Sequence, residues 1–302
     1  MNYKIVVIGC GNVGLSYIYS LINQKLEVAQ LVIIDTNVSK TKGELMDIGH
    51  GLSFVNSKIK IRFGDYKDCQ DANMVVITAG AKQEQGESRM DLLATNAKII
   101  KSIVENVVKN NFQGIFLNVT NPLDVMTYLI YKHSKFPAHK VIGSGTALDT
   151  SRLKYVLKDI VKADYENIEA YVLGEHGDSL VIPWNSVFVD KMKFNVNFDT
   201  DKQNEIEFRV KNAGYELLDS KGYSSSAVGM CLAYITKIIL NDEQIAVCLS
   251  SYDDKEDIYY GHPVKLGKSG IMEEVPLNLT ALEQQKLNES LEIIKNAIKK
   301  VI

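Results

Sequence analysis

The sequence has 302 residues, of which 46% are apolar and 24% are charged, with 34 basic and 37 acidic side chains and a net charge of −3. This balance is typical of a globular protein with a large core and excludes an intrinsically disordered chain. Because the opposite charges nearly cancel, the chain has no general attraction for a polyanion. Neither a nucleic acid nor an anionic membrane is therefore expected as a partner.

The first apolar run, residues 5–8, ends at once in glycines and is too short for a signal peptide or a membrane span. The cysteines show neither the paired spacing of metal ligands nor a disulfide framework. We therefore expect buried or unreactive thiols, no metal site and a cytoplasmic location. These cysteines are Cys10, Cys69, Cys231 and Cys248.

In the first half of the chain, short apolar runs alternate with amphipathic stretches in which apolar residues recur at spacings of three and four. This alternation predicts a parallel sheet with crossover helices, and six strands suffice for a doubly wound, dinucleotide-binding Rossmann domain over residues 1–143. The predicted strands cover residues 5–8, 31–34, 59–63, 74–78, 115–119 and 141–142. The predicted helices cover residues 13–22, 40–48, 90–108 and 125–131.

From residue 144 the pattern changes to a mixture of helices and strands, which predicts an α+β domain over residues 144–302. No linker rich in Pro, Gly or Ser separates the halves, so we expect two packed lobes with a cleft between them. Helices are predicted around residues 152–158, 201–218 and 283–302. Extended chain is predicted at residues 168–173 and 180–189, and antiparallel strands at 245–250 and 258–266.

A glycine-rich turn with the pattern GxGxxG follows the first predicted strand. Glycines there allow a tight turn and a close approach to a pyrophosphate, while the helix N-terminus faces the phosphate charge. Asp35 closes the second apolar run, where a carboxylate can bind ribose hydroxyls, and no neighbouring cation is available for a ribose phosphate. These features predict NAD rather than NADP; the alternative is a glycine turn beside a solvated aspartate. The turn residues expected to bind the cofactor are Gly9, Gly11, Asn12, Val13 and Gly14.

Three polar side chains in the second half are suited to the reduction of a ketone. His176 stands between two glycines, and a histidine can donate a proton near pH 7. Asp149 is the candidate to orient that imidazole and stabilise its cation. Arg152 follows three residues later on the same helical face and offers a forked cation to a carboxylate. The alternatives are an ordinary helix ion pair and an isolated histidine.

Several separated stretches, taken in order, resemble the lactate and malate dehydrogenase family over essentially the whole chain. They are residues 80–89, 143–152 and 174–179, together with Asn121 and Pro122 after the fifth strand. The resemblance implies that His176 exchanges the proton with support from Asp149, and that Arg152 binds the substrate carboxylate. It also implies NAD as the cofactor, bound in part by Thr78, Ala79, Gly80, Asn96, Val119 and Asn121.

The resemblance assigns the stretch 80–89 to a mobile lid over the substrate. Arg89 would polarise the substrate carbonyl when the lid closes, and Asn121 would place the carbonyl and the nicotinamide. Glycines flank the lid, which fits a loop that excludes water before hydride transfer. An arginine in a polar loop is otherwise usually just solvated.

Gln83 occupies the position that meets the far end of the substrate in this family. Arginine there suits the second carboxylate of oxaloacetate, whereas glutamine suits the methyl group of pyruvate, so the resemblance implies pyruvate and L-lactate as the small-molecule substrates. Ser224 and Ser226 stand where bulkier residues are usual, which leaves longer 2-oxo acids open as an alternative. Malate dehydrogenase activity is a further alternative.

Two expectations concern assembly and control. Members of this family are usually dimers or tetramers, so a homo-oligomer is expected, with a homotetramer slightly favoured. Many bacterial members respond to fructose 1,6-bisphosphate through a basic residue and a histidine at the positions of Lys154 and Glu169. A carboxylate at Glu169 opposes phosphate binding, so the activator should have little effect. A non-catalytic NAD-binding role would predict loss of His176, Asp149 or Arg152, and none is lost.

Overall fold

The computed structural model describes residues 3–55, 57–81, 89–193 and 198–302, with the backbone alone for residues 89–91 and 193. Within these residues it contains twelve strands and eight α-helices. The strands are β1 Tyr3–Ile8, β2 Val28–Ile34, β3 Lys60–Phe63, β4 Met74–Ile77, β5 Ile115–Asn118, β6 Val141–Gly143, β7 Ile168–Glu169, β8 Phe188–Val189, β9 Met192–Lys193, β10 Ile245–Asp253, β11 Ile258–Gly267 and β12 Gly270–Glu274. The helices are α1 Asn12–Asn23, α2 Val38–Val55, α3 Arg89–Lys109, α4 Leu123–Ser134, α5 Ala147–Val161, α6 Thr200–Lys221, α7 Ser226–Asn241 and α8 Ala281–Ile298.

The first six strands form the predicted parallel sheet, in the order β3-β2-β1-β4-β5-β6. The strands β4 and β5 are buried along their whole length, because helices cover both faces of the sheet. Continuous apolar runs such as MVVI are typical of parallel strands of this kind. The prediction of a doubly wound fold is therefore confirmed.

The predicted antiparallel strands continue this same sheet. Strand β10 joins β6 through the pair Ser250 and Gly143, and β11 and β12 follow in antiparallel order. The result is one nine-stranded sheet in the order β12-β11-β10-β6-β5-β4-β1-β2-β3, beside a small sheet of β7, β8 and β9. Backbone hydrogen bonds within one sheet thus join the two halves of the chain.

Two predicted extended segments are wrong over most of their length. Of residues 168–173 and 180–189, only Ile168–Glu169 and Phe188–Val189 are strands, with one isolated bridge elsewhere. Pro183 lies in the second segment and cannot donate to a strand partner, so a turn of 3₁₀ helix follows it. The backbone N–H of the next residue bonds to a side chain instead of to a strand.

Helix α7, which was not predicted from the sequence, packs directly on α1. A Cβ atom on Gly229 would lie 2.4 Å from the carbonyl carbon of Ser16, so only glycine permits this approach of the two helices. The hydroxyl groups of Tyr17 and Thr236 share a buried hydrogen bond of 2.8 Å across the same contact. No helix in the described part of the chain is both long and apolar enough to cross a membrane.

Candidate active site

The glycine turn after β1 is shaped for a ligand that approaches its backbone. Gly9 has a φ of +111°, and a Cβ atom there would lie 2.5 Å from the amide nitrogen of Ala79. A Cβ atom on Gly14 would lie 2.2 Å from the carbonyl oxygen of Gly9, which keeps the helix close to the strand. In contrast, a Cβ atom on Gly11, the N-cap of α1, would meet nothing within 4 Å. An uncapped helix N-terminus therefore opens onto free space, which fits a pyrophosphate.

The carboxylate of Asp35 lies at the end of β2, beside this turn. It accepts hydrogen bonds from the backbone N–H groups of Cys10, at 2.5 Å, and Asn37, at 2.7 Å. These bonds fix the carboxylate beside the glycine turn while the residue stays partly exposed. This arrangement fits the ribose-binding role predicted for it.

Two threonine hydroxyls form hydrogen bonds that position the segment directly after β4, which faces the glycine turn. The hydroxyl of Thr78 donates to the carbonyl oxygen of Gly9 at 2.8 Å, and the hydroxyl of Thr120 donates to that of Ala79 at 2.7 Å. The predicted residues Thr78 and Ala79 therefore lie against the glycine turn. Gly80 follows them and is exposed.

Asn96 on α3 differs from the other predicted cofactor residues, because it is 2% exposed. Its side-chain oxygen accepts from the N–H of Ala81, and its amide nitrogen donates to the carbonyl oxygen of Asn121, both at 2.8 Å. Asn96 thus links two loops, and its direct contacts are with backbone. Asn121 itself is exposed and lies in the cleft described next.

A cleft of about 360 Å³ lies where the carboxyl ends of β1, β5 and β6 meet helices from the second half of the chain. It brings together the predicted residues Val13, Val119, Asn121, Asp149, Arg152, His176 and Ser224. Helix α6 adds Lys211, Gly214, Tyr215 and Leu218, which the sequence analysis did not single out. The crevice at the carboxyl ends of parallel strands is the usual ligand site of such a sheet.

Asp149 lies at the centre of the charged groups in this cleft and is 2% exposed. One carboxylate oxygen is 2.6 Å from Nδ1 of His176, and the other accepts from Nη1 of Arg152 at 3.0 Å. Burial alone would raise the pKa of Asp149, but the charge and hydrogen bond of His176, and then those of Arg152, lower it below its usual value. Asp149 is therefore an anion that holds both cationic groups.

The same contacts favour the protonated form of His176. Burial lowers the pKa of this imidazole, but the charge and hydrogen bond of Asp149 and the charge of Asp124 outweigh that effect, and the pKa is raised. Arg152 acts in the opposite direction and is the smallest of these influences. Because Nδ1 is engaged by Asp149, Nε2 is the nitrogen left to exchange a proton.

Asp124 is a site residue that the sequence analysis missed. Its carboxylate is buried on the first turn of α4 and accepts the backbone N–H of His176 at 2.9 Å. Cys231 on α7 is a second one: it lines the cleft, and burial raises the pKa of its thiol to about 12. Such a thiol is uncharged near neutral pH, in agreement with the prediction of unreactive cysteines. All four cysteines are free.

Three predictions on the substrate pocket have different outcomes. Ser224 lines the cleft, but Ser226 is exposed, and its hydroxyl accepts from Nζ of Lys221 at 3.4 Å. The smaller side chain at Ser226 therefore adds no room to the cleft. Gln83 lies outside the described residues, and of Arg89 the structure gives the backbone at the start of α3. In the described part of the chain, no group of three or more His, Cys, Asp or Glu residues is placed to hold a metal ion.

Both halves of the chain match models of one known protein family. Residues 3–143 match the family model described as lactate/malate dehydrogenase, NAD binding domain, and residues 146–302 match its alpha/beta C-terminal domain. The chain belongs to the lactate/malate dehydrogenase family. The resemblance inferred from the motifs is confirmed, and so is NAD as the cofactor of this family member.

The most similar relatives within this family include proteins named L-lactate dehydrogenase. One from Borrelia hermsii is 40% identical, with 99% of this chain and 98% of that relative aligned. One from Bacillus pumilus is 39% identical, with 98% and 96% aligned. Among solved structures, the minor L-lactate dehydrogenase from Enterococcus mundtii in its ligands-bound form has a TM-score of 0.96 at 35% identity, covering 100% of this chain and 99% of that chain.

Proposed function

We propose that the chain is an NAD-dependent L-lactate dehydrogenase that interconverts pyruvate and L-lactate. One observation carries this proposal beyond family membership. The carboxylate of Asp149 bridges His176 and Arg152, so an acid/base group and a carboxylate-binding group face one cleft beside the cofactor turn. A 2-oxo acid needs both groups, because its ketone takes up a proton while its carboxylate must be held in place.

The geometry of the central groups supports a role for each of them. The guanidinium of Arg152 would bind the carboxylate of pyruvate, since its contact with Asp149 uses Nη1 and leaves further N–H donors. The imidazolium of His176 would donate the proton on Nε2 to the ketone oxygen, while Asp149 stabilises the cation before transfer. The hydride for the carbonyl carbon would come from bound NADH, giving L-lactate and NAD. In the reverse direction, neutral His176 accepts the hydroxyl proton.

The remaining assignments of substrate-binding residues belong to the same proposal. Arg89 would polarise the carbonyl, Asn121 would hold the carbonyl and the nicotinamide, and Ser224 would line the pocket. Gln83 would meet the methyl group of pyruvate, and its lack of charge disfavours a dicarboxylate such as oxaloacetate. The exposed position of Ser226 weakens the argument for bulkier 2-oxo acids.

We also propose a division of labour along the chain, with residues 1–143 binding NAD and residues 144–302 binding the substrate. The extents of the two family-model matches support this division. Asp124, on α4, then belongs by sequence to the cofactor half but contacts the substrate half. A cytoplasmic location remains part of the proposal, supported by the free cysteines.

A homo-oligomer, either a tetramer or a dimer, is supported by the exposed face of α2. On this helix Met46 is 63% exposed and Phe54 is 90% exposed, which is unusual for large apolar side chains on one face. Gly43 lies on this face, between Met46 and Phe54 around the helix axis, and a Cβ atom there would meet nothing within 4 Å. A glycine at this position allows a second helix to approach closely. We therefore propose that α2 packs against another copy of the chain.

The test of the activity is NADH consumption measured in parallel with pyruvate, oxaloacetate and 2-oxoisocaproate. We expect pyruvate to have the highest kcat/KM. The His176→Ala variant should lose at least about a hundredfold in kcat, the usual contribution of acid/base catalysis, with little change in NADH affinity. A higher kcat/KM for either other substrate would reject pyruvate as the main substrate. Near-normal turnover by the variant would reject the role of His176.

A further inference from the structure

We propose that Asp124 is a positioning residue for His176, acting through two effects: it anchors the backbone of that histidine, and its negative charge favours the imidazolium. The proposal rests on the function proposed above for His176. It adds a second carboxylate to the one that touches the imidazole ring.

The carboxylate of Asp124 is fully engaged in the protein interior. The residue is 2% exposed on the first turn of α4. One oxygen accepts the backbone N–H of His176 at 2.9 Å, and the other accepts the hydroxyl of Ser250 at 2.6 Å. Ser250 is itself fully buried in β10 and pairs with the end of β6, so Asp124 ties the histidine backbone to the central sheet.

Three consecutive backbone N–H groups of the histidine loop are bound by three different elements. The N–H of Gly174 donates to the carbonyl oxygen of Gly261 on β11 at 2.8 Å, and that of Glu175 donates to the hydroxyl of Ser290 on α8 at 2.9 Å. The third, that of His176, donates to Asp124. Asp124 is the charged member of these three acceptors. The loop is therefore held at three successive residues, which fixes the Cα atom of His176 while Asp149 fixes its ring.

The charge of Asp124 is not needed for this anchor. An asparagine could accept the N–H of His176 with its oxygen and donate to the hydroxyl of Ser250 with its nitrogen. Burial of an ionised carboxylate is costly, and it raises the pKa of Asp124 to about 6, although the bonds from Ser250 and from His176 oppose the rise. The two hydrogen bonds alone therefore do not require a carboxylate, although an acidic residue in the first turn of α4 also gains from the helix dipole.

The charged groups around Asp124 indicate what its carboxylate stabilises. His176 is the cation whose charge favours ionised Asp124, whereas the nearby carboxylate of Glu175 opposes ionisation. In the other direction, the charge of Asp124 adds to that of Asp149 in raising the pKa of His176, and Arg152 lowers it. Above pH 6, where Asp124 is mostly ionised, it keeps His176 protonated to a higher pH than Asp149 alone would.

The test uses two matched variants that separate charge from anchoring. Asp124→Asn keeps both hydrogen bonds and removes the charge, whereas Ser290→Ala removes a neighbouring anchor and keeps the charge. The first measurement is the pH dependence of the KM for pyruvate. The second is the titration of the His176 imidazole, followed by NMR on the cofactor-free protein, with the His176 signal assigned by its loss in His176→Ala. The NMR titration does not depend on turnover, so it is informative even if pyruvate is not the substrate.

Asp124→Asn should move the pH midpoint of the KM for pyruvate and the NMR midpoint of His176 to lower pH, since the charge of Asp124 raises the pKa of this imidazole. Its KM for pyruvate should therefore rise on the alkaline side, by up to about tenfold for each unit of pKa lost. Its kcat at pH 6 should stay within about threefold of the parent, because the anchor remains. Ser290→Ala should lower kcat and leave both midpoints in place. An unmoved His176 midpoint in Asp124→Asn, or an equal shift in Ser290→Ala, would overturn the proposal.

If Asp124→Asn does not fold, Ser250→Ala provides the second measurement. Loss of the hydroxyl donor disfavours ionised Asp124, so the His176 midpoint should move to lower pH, in the same direction as in Asp124→Asn. An unchanged midpoint in Ser250→Ala would then overturn the proposal. Failure of the parent protein to oxidise NADH with pyruvate would instead reject the proposed function, while the NMR titration still tests Asp124.

Discussion

Replacement of Asp149 by asparagine tests the group on which the proposed site depends most. The carboxylate has one contact of 2.6 Å with Nδ1 of His176 and one of 3.0 Å with Nη1 of Arg152. The side chain of asparagine has an oxygen that accepts hydrogen bonds and a nitrogen that donates them. One of the two contacts would therefore survive, whereas in the other the amide nitrogen would face a donor N–H of His176 or Arg152. A hydrogen bond to a charged group contributes about 1.5–3 kcal/mol, and an uncompensated partner adds to the loss. We therefore expect a decrease of about 3 kcal/mol, or about a hundredfold, in kcat/KM for pyruvate.

The same substitution should change the pH dependence in a defined direction. Asp149 raises the pKa of His176, so pyruvate reduction, which needs the imidazolium, persists to higher pH in the parent protein. Without the carboxylate the pKa of His176 falls, and activity should be lost at lower pH as the pH rises. Steady-state kinetics from pH 5.5 to 9 measure this, with Asp159→Asn, an exposed position on the same helix, as the control. An unmoved midpoint with kcat/KM within about threefold of the parent would refute the reasoning.

Three further substitutions or additions test other parts of the site. Gly14→Ala should lower the free energy of unfolding by about 1–3 kcal/mol in urea titrations, because its Cβ atom would lie 2.2 Å from the carbonyl oxygen of Gly9; an unchanged midpoint would contradict this. Gln83→Arg should move the ratio of kcat/KM values towards oxaloacetate by about a hundredfold, for a charge-assisted pair of roughly 3 kcal/mol, and a constant ratio would exclude Gln83 from the pocket. Millimolar fructose 1,6-bisphosphate should leave the pyruvate saturation curve unchanged, because the carboxylate of Glu169, which interacts with the charge of Lys154, would repel a phosphate; a clear fall in half-saturating pyruvate would show this to be wrong.

The parts of the fold that were predicted correctly depend on local patterns. The parallel strands are continuous apolar runs. The spacing of the glycines in the turn after β1 reflects close backbone contacts between residues that are only a few positions apart. Helix α7 was missed because apolar residues also occupy its exposed face, where Met230 is 60% and Tyr234 is 43% exposed, so the sequence lacks the polar stripe of an amphipathic helix. Gly229 inside it argues against a helix until the contact with Ser16 is known.

The candidate site shows the same division between local and distant contacts. Asp149 and Arg152 are three residues apart on one helix, so their pairing follows from helical geometry. Asp124 is 52 residues from its partner His176. An acidic residue in the first turn of a helix is common because it favours the helix dipole, and nothing in the sequence distinguishes this one. Its role depends on the way the sheet brings α4 and the histidine loop together.

The continuous sheet from β3 to β12 has a mechanical consequence. A rotation of the two halves about the cleft would break the pairing of Ser250 with Gly143 and separate Gly229 from Ser16, where the helices touch without room for a Cβ atom. The cleft walls therefore form a rigid frame, and the separation between the cofactor turn and His176 is set before any ligand arrives. Binding energy is then not consumed in drawing the halves together.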